Sequence, residues 1–221
     1  MRKHFVIRIT TVLVLAAAIF GFSFRGSYTN ITGEEGYLDM LAVAEMPEAI
    51  CISSCERMKE SLPNAPIIIR VTPTEDVEHQ FGQSHQKVRV EQVFHGDGLS
   101  TGDNIYITAV RWRVVINQEH KTLERGFVNV LQQDHDYLVF LSESTGLTNN
   151  NLPVYCLFEE SLISPVFAYD QFCNTVVVTT GGSTYVPYCS VSQNEFFATS
   201  EECISAWLQV KHLLLDMYPI Q

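Results

Sequence analysis

The sequence predicts a mainly β domain with flanking helices, and three observations lead to that class. Between residues 67 and 141, five short apolar segments follow one another with turn residues and few helical stretches between them. After residue 199 the apolar positions switch to helical spacing behind a capping signal. Ahead of both, Ile9–Phe24 carries no charge and follows Arg2, Lys3 and Arg8, the basic-then-apolar order of an export segment.

That N-terminal run reads as either a signal peptide or an N-terminal membrane anchor, covering residues 1–25. At ~1.5 Å per residue a helix over its 16 residues falls short of a ~30 Å hydrocarbon core. Including Phe5, Val6 and Ile7 reaches that thickness, with Arg8 snorkelling to the headgroups. Gly21-Phe22-Ser23 offers a small-x-small cleavage site flanked by bulky rings. No cysteine follows the run, which excludes a lipid-modified amino terminus. Either way the N-terminus is expected in the cytoplasm and the rest outside it, because the basic residues lie ahead of the run and Glu34 and Glu35 behind it. Localisation is thus extracytoplasmic, single-pass or secreted.

Residues 26–62 read as a stalk followed by short helices. Ser27 to Gly36 is polar. Leu38, Leu41, Ala42 and Glu45 have helical spacing, Pro47 interrupts, and Glu56-Arg57-Met58-Lys59-Glu60 suggests a second helix ending before Pro63.

Residues 63–198 read as the β portion. Ile67–Val71 is a short apolar strand. Lys87–Phe94 alternates and sends Val88, Val90 and Phe94 to one face, with Ile105, Ile107, Leu138 and Phe140 expected in the same core. His95-Gly96-Asp97-Gly98 and Thr101-Gly102-Asp103 turn the chain into Asn104–Ala109. Phe127–Leu131 and Asp136–Leu141 read as two further strands. Five strands in this order indicate a small barrel or a sandwich rather than a parallel α/β sheet. Beyond the polar loop Ser144–Asn151, Val154–Phe158 and Thr175–Thr179 read as a hairpin pair. Residues 199–219 close the chain as a helix, with Thr199 as N-cap, Glu202 three residues on, Pro219 as stop, and an apolar stripe of Ile204, Trp207, Leu208, Leu214, Leu215 and Tyr218.

Charge narrows the partners. The 221-residue chain has 14 basic and 25 acidic residues, a formal net charge of -11. Residues 1–25 hold four of the basic residues and none of the acidic ones, leaving ten against 25, or -15, beyond them. A surface so acidic repels phosphate backbones, so nucleic acid is excluded as a partner. Six cysteines, at 51, 55, 156, 173, 189 and 203, all follow the export segment and permit disulfides outside the cytoplasm. Cys51 and Cys55 have neither redox nor zinc-finger spacing. Asn30-Ile31-Thr32 matches a glycosylation sequon.

Catalytic signatures are sparse. His79 and His85, with Glu75, Asp76 and Glu78, populate the segment Thr72–Gln86, and His95 follows. A metal site there would need a fixed ligand spacing that the segment lacks, so a solvated loop is the better reading. Asp134-His135-Asp136 lies in a turn, where adjacent side chains diverge. Gly181-Gly182-Ser183-Thr184 lacks the lysine and following helix of a phosphate loop. Arg111-Trp112-Arg113 reads as strand with one buried and two solvated positions. No residue is therefore assigned as catalytic, cofactor-binding or metal-ligating, and no cofactor is expected.

Ala65–Val71, Val88–Gly96, Gly102–Ile107 and Tyr137–Leu141 together follow a V-x-V-x-x-V-F-x-G, G-D-x-I, Y-L-V-F-L series. The series resembles the netrin-module or tissue-inhibitor-of-metalloproteinase-like (TIMP-like) OB barrel, especially versions in uncharacterised exported bacterial proteins. The likeness covers roughly residues 63–145 and extends to Asn194-Glu195-Phe196-Phe197 leading into the C-terminal helix. It implies an OB-type β-barrel with that helix packed on it. The N-terminal cysteine with which animal inhibitors chelate a target's zinc has no counterpart, since Cys51 lies deep in the chain, and the family's disulfide framework does not map residue by residue. The expected function is a non-catalytic binding or interaction module, membrane-attached through its N-terminal segment, with a protein or small ligand at the cell surface as partner. The alternatives are an inhibitor or regulator of an extracytoplasmic hydrolase, or a metal-dependent hydrolase.

Overall fold

Alternating burial organises the long strands of the computed structural model. It describes residues 11, 13–21, 36–80, 82–116, 121–148, 151–179 and 184–220. β1 (Ala42–Ala44), β2 (Ile67–Pro73), β3 (Glu78–Gln80), β4 (Gln83–His95), β5 (Asn104–Ile116), β6 (Lys121–Glu124), β7 (Tyr137–Leu147), β8 (Pro153–Leu157), β9 (Val166–Ala168) and β10 (Tyr185–Pro187) form one mixed sheet. Among the described residues after Tyr37, three α-helices accompany them: α1 (Glu48–Ser61), α2 (Tyr188–Val191) and α3 (Glu201–Met217).

β2 lies antiparallel between β4 and β7; β7 pairs with β8, β8 runs parallel to β5, and β5 pairs back onto β4. The pairings therefore return to their starting strand. Val88, Val90, Ile105, Ile107, Leu138 and Phe140 are fully buried, as expected, and so is Val71 of β2. Phe94 departs from the pattern and is only half-buried, packing its ring 5.4 Å from that of Tyr218. The β2–β4 register shifts once between Val90 and Gln92 and again between Val93 and His95. Each extra residue reverses the in–out phase, so a strict alternation through Phe94 fails. Gly96 then closes the strand at φ +99°, where a Cβ would come within 2.6 Å of the Pro66 carbonyl oxygen.

The second half of β5 leaves this circuit and starts another run of pairings, through β6 and β1 to β10. Here several sequence expectations are corrected. Leu38 to Glu45 is not a helix. Tyr37–Met40 is a short 3-10 turn and Ala42–Ala44 is β1, parallel to β6 and antiparallel to β10, so two backbone ladders override the helical spacing. Phe127–Leu131 is not a strand: Gly126 and Phe127 both take positive φ, leaving a single bridge from Val128 to Phe196. Val154–Phe158 and Thr175–Thr179 do not pair, because β8 is held between β5 and β7 and Val178 is 90 % exposed.

α1 starts directly after Pro47 and runs through Cys51 and Cys55, so it begins earlier than the Glu56–Glu60 cluster suggests. α3 buries Cys203, Ile204, Trp207, Val210, Lys211 and Leu214, while Leu208, Leu215 and Tyr218 are half-buried and Glu201, Gln209 and Asp216 face water. Trp207 stacks on Phe196 at 4.9 Å and on Phe167 at 5.8 Å. The N-cap is Ser200, not Thr199; its hydroxyl accepts from the Cys203 amide. Thr199 instead accepts from the Glu48 amide and donates to the Met46 carbonyl, joining the start of α1 to the approach of α3. One disulfide, Cys51–Cys203, links the two helices.

The chain divides after Tyr37. In the first unit, residues 13–21 are helical with exposed side chains; the basic residues Arg2, Lys3 and Arg8, and the sequon at Asn30, lie outside the described residues. Among the described residues no helix is long and apolar enough to cross a membrane.

Candidate functional site

Arg111-Trp112-Arg113 divides its side chains as a strand must: Trp112 is buried, and Arg111 and Arg113 share the opposite face. Arg113 is paired in register with Glu124, to which its Nε donates. Arg111 donates through Nη1 to the Ser161 carbonyl at 2.6 Å and lies 3.4 Å from Glu159. The two terminal nitrogens of Arg113 have no hydrogen-bond partner among the described residues, and the side chain is 56 % exposed.

These arginines form one wall of a cleft of about 330 Å³, within the size range of small-molecule sites. Ala44 of β1 and Tyr185 of β10 are partners in register, on the two strands beyond β6 in the same sheet, and line the cleft as well. Phe127, Leu162 and Phe197 supply apolar surface; Phe197 is buried, whereas Leu162 and Tyr185 are 40 % and 41 % exposed at the mouth. Gly126 sets the approach of the chain. A Cβ there would lie 2.5 Å from the Ser164 hydroxyl, which itself accepts from Trp112 Nε1 at 2.9 Å. Arg125, also on the lining, is buried with its guanidinium carbon 3.4 Å from the centre of the Trp112 ring.

The histidine-bearing segment gathers differently from a metal site. β3 folds back on β4, placing His79 Nδ1 2.7 Å from the Ser84 hydroxyl. Glu78 takes His85 Nε2 at 3.3 Å and the Tyr106 hydroxyl at 3.1 Å. Burial, then the nearby Arg125 and His85, push the His79 imidazole down to about 4. Burial and the Glu78 carboxylate push the Tyr106 hydroxyl up to about 12. Glu75 pairs with Lys87, and Asp76 accepts from Gln133. Among the described residues no three His, Cys, Asp or Glu side chains converge as metal ligands.

The other sequence candidates scatter. His135 contacts Asp170 at 2.8 Å, while Asp136 turns to Thr72 and Arg70, so the Asp-His-Asp run does diverge. His95 is exposed at the end of β4. Residues 181–183 lie outside the described residues. Cys51 is consumed in the disulfide, and burial pushes the Cys55 thiol up to about 11, away from nucleophilic chemistry.

One arrangement had no sequence signal. Glu195 and Lys211 form a buried ion pair at 2.5 Å, 3 % and 4 % exposed. Glu195 also accepts from the Ala168 amide, and Lys211 donates to the Asp170 carbonyl. Burial pushes the Glu195 carboxyl up to about 7 against the opposing pull of Lys211. The pair fixes α3 over the sheet beside Trp207.

No family model matches the chain, and no curated protein matches it either.

Proposed function

We propose that this chain is an exported, non-catalytic binding module on a netrin/TIMP-like OB barrel, attached to the membrane or released beyond it, whose ligand seats in the arginine-lined cleft. The closed run of pairings β2–β4–β5–β8–β7, sharing a core with α3, supports the OB-barrel reading, since that fold is a five-stranded barrel. The crowding of Gly96 against Pro66 gives a physical reason for the glycine in the V-F-x-G segment that carries the resemblance. A disulfide between distant helices fits an oxidising compartment.

The cleft is the observation that carries the binding role. Its walls are aromatic and aliphatic, and its ionisable groups are guanidiniums, a carboxylate already paired with one of them, and the Tyr185 phenol, protonated in the neutral range as an ordinary phenol is. A guanidinium stays protonated at every physiological pH, so it orients and neutralises a ligand but does not take a proton from it. Such a lining suits recognition better than turnover.

The test is a thermal-shift screen of the purified full chain against small acids, amines, neutral aromatics and divalent metals, with mass spectrometry of each hit. A saturable rise in melting temperature that is lost in Leu162→Trp, with the ligand recovered unchanged, is expected. A hit recovered as product replaces binding with catalysis. Hits that all survive Leu162→Trp, or the absence of any hit, overturn the assignment to this cleft.

A further inference from the structure

The segment Thr175–Thr179 has the sequence of a strand and no strand beside it. Thr175-Val176-Val177-Val178-Thr179 is wholly β-branched, the composition that favours sheets. Yet residues 171–179 join no ladder and contain no turn or bend. One edge of the segment is held by the protein. The Thr175 carbonyl accepts from Asn194 Nδ2 at 2.7 Å, and the Asn174 side chain just ahead accepts from the Glu195 and Phe196 amides. The Val177 amide opposes the effect of burial on the carboxyl of Glu45, which is 3 % exposed. Successive backbone groups of an extended chain point to opposite edges, so Val176 and Val178 offer theirs to the other side. Among the described residues nothing hydrogen-bonds to the backbone of either, and Val178 is 90 % exposed.

An open edge of this kind is a template for another strand, and natural chains block it with charge or proline. Neither interrupts this segment. The sequence also selects the strand that fits. Thr-Val-Val-Val-Thr reads the same in both directions, so a second copy laid antiparallel about Val177 sets Thr175 against Thr179, Val176 against Val178 and Val177 against itself. Every position then meets a β-branched side chain. Charge favours the same partner. Copies of a chain at -11 repel one another, but from Gln171 to Asn194 there is no acidic, basic or histidine residue, so the ladder itself sets no like charges together. We propose that two copies of this chain dimerise by pairing their Thr175–Thr179 segments antiparallel, about a two-fold axis at Val177. Val176 and the partner's Val178 exchange both N–H···O bonds, and Val177 meets its counterpart in the closer, non-hydrogen-bonded position. So short a ladder makes a reversible dimer.

The test uses the purified full chain in a Cys173→Ser/Cys189→Ser background, which removes the two exposed thiols. Sedimentation velocity is expected to show a monomer–dimer equilibrium that shifts with concentration. Val178→Pro deletes an amide that each copy donates across the ladder, and should raise the dissociation constant at least about tenfold. Val178→Asp keeps the amide but sets a charge in the ladder, and should weaken the dimer in the same direction. Because Val178 is exposed, both variants should melt as the background does when dilute. Val110→Asp, at a valine that is 74 % exposed on β5, should leave the dimer unchanged. Crosslinking reads the register. Val177→Cys should form an intermolecular disulfide under mild oxidation, since the two Cα atoms lie ~4.5 Å apart in that position. Val178→Cys, which faces the partner's Val176, should not. A monomer at every concentration, a dimer that both Val178 variants leave intact, or crosslinking at 178 equal to that at 177 overturns the proposal.

Discussion

His79 has an imidazole that folding keeps neutral. Its ring sits against the Ser84 hydroxyl, which is fully buried, with Arg125 and His85 close enough to oppose a positive charge. The folded value is about 4 against an ordinary 6.5. Between those values the unfolded chain binds a proton that the folded chain refuses, so His79 costs stability as pH falls from 6.5 toward 4. Glu195 has the opposite sign: its carboxyl is raised from 4.5 to about 7, so the folded chain holds the extra proton and its contribution falls as pH rises through that interval. The two windows overlap, and a single pH profile does not separate them. His79→Gln does. Its melting temperature should lose less than the wild type's between pH 6.5 and 4, and parallel profiles would show that the histidine is not held neutral. Packing sets a second contrast among residues. Phe140 is fully enclosed and edge-on to Phe167, whereas Phe94 is half-buried beyond the register shifts. Phe140→Ala is expected to cost about 3–5 kcal/mol and Phe94→Ala about half of that or less, measured by urea denaturation. Equal costs would place Phe94 in the core after all.

The elements that could be read from sequence are those whose partners impose one periodicity on them. The first part of β4 writes its burial into alternate residues, whereas β2, the start of β5 and the start of β7 are covered on both faces and show as short continuous apolar runs. α3 shows its stripe for the same reason, except that Lys211 sits on it; a lysine is assigned to solvent unless its distant partner, Glu195, is known. β1, β6 and β10 were not legible because three or four residues are too few to display a period, and their pairing joins segments more than 60 residues apart. The cleft inherits that difficulty. Its Arg-Trp-Arg segment was visible as a strand, but Ala44 and Tyr185 meet it only through those short ladders, and Phe127 only through the positive-φ turn at Gly126. α1 and α3 have a further tie in Cys51–Cys203, 152 residues apart. A crosslink closing so long a loop is expected to contribute ~2–5 kcal/mol. The Cys51→Ala/Cys203→Ala pair should therefore unfold at lower urea but remain folded, because Trp207 keeps its stack on Phe196 and Phe167. Truncation after Thr199 removes that stack and the Lys211 partner of Glu195 together, and should leave a protease-sensitive, aggregating product. A truncated chain with an unchanged melting temperature would make α3 an appendage.

At the scale of the whole molecule, the proposed export rests on the N-terminal run and the cysteines, and the cysteines supply its sharpest test. Under the proposed export, Arg2, Lys3 and Arg8 ahead of the uncharged Ile9–Phe24 run keep the N-terminus in the cytoplasm and send the residues after it across the membrane. The thiols differ in what they present there. Cys173 and Cys189 are exposed and free, Cys156 is free and half-buried so that its labelling is slower, Cys55 is free but buried, and Cys51 and Cys203 are bonded to each other. A membrane-impermeant maleimide added to intact cells or spheroplasts should therefore label Cys173 and Cys189 and spare Cys55, with no further label at those two positions after lysis. Cys173→Ser and Cys189→Ser should each remove one adduct by mass. Cys55 is the internal control for folding: it should react only after denaturation, which distinguishes an accessible fold from an unfolded chain, while an unlabelled cytoplasmic thiol protein in the same cells reports an intact membrane. The mass of the same labelled protein also decides between the two N-terminal readings, since an anchor keeps residues 1–25 and a signal peptide loses them. Labelling of Cys173 and Cys189 only after lysis would place them on the cytoplasmic side, and the export reading, with the extracytoplasmic binding role built on it, would fall.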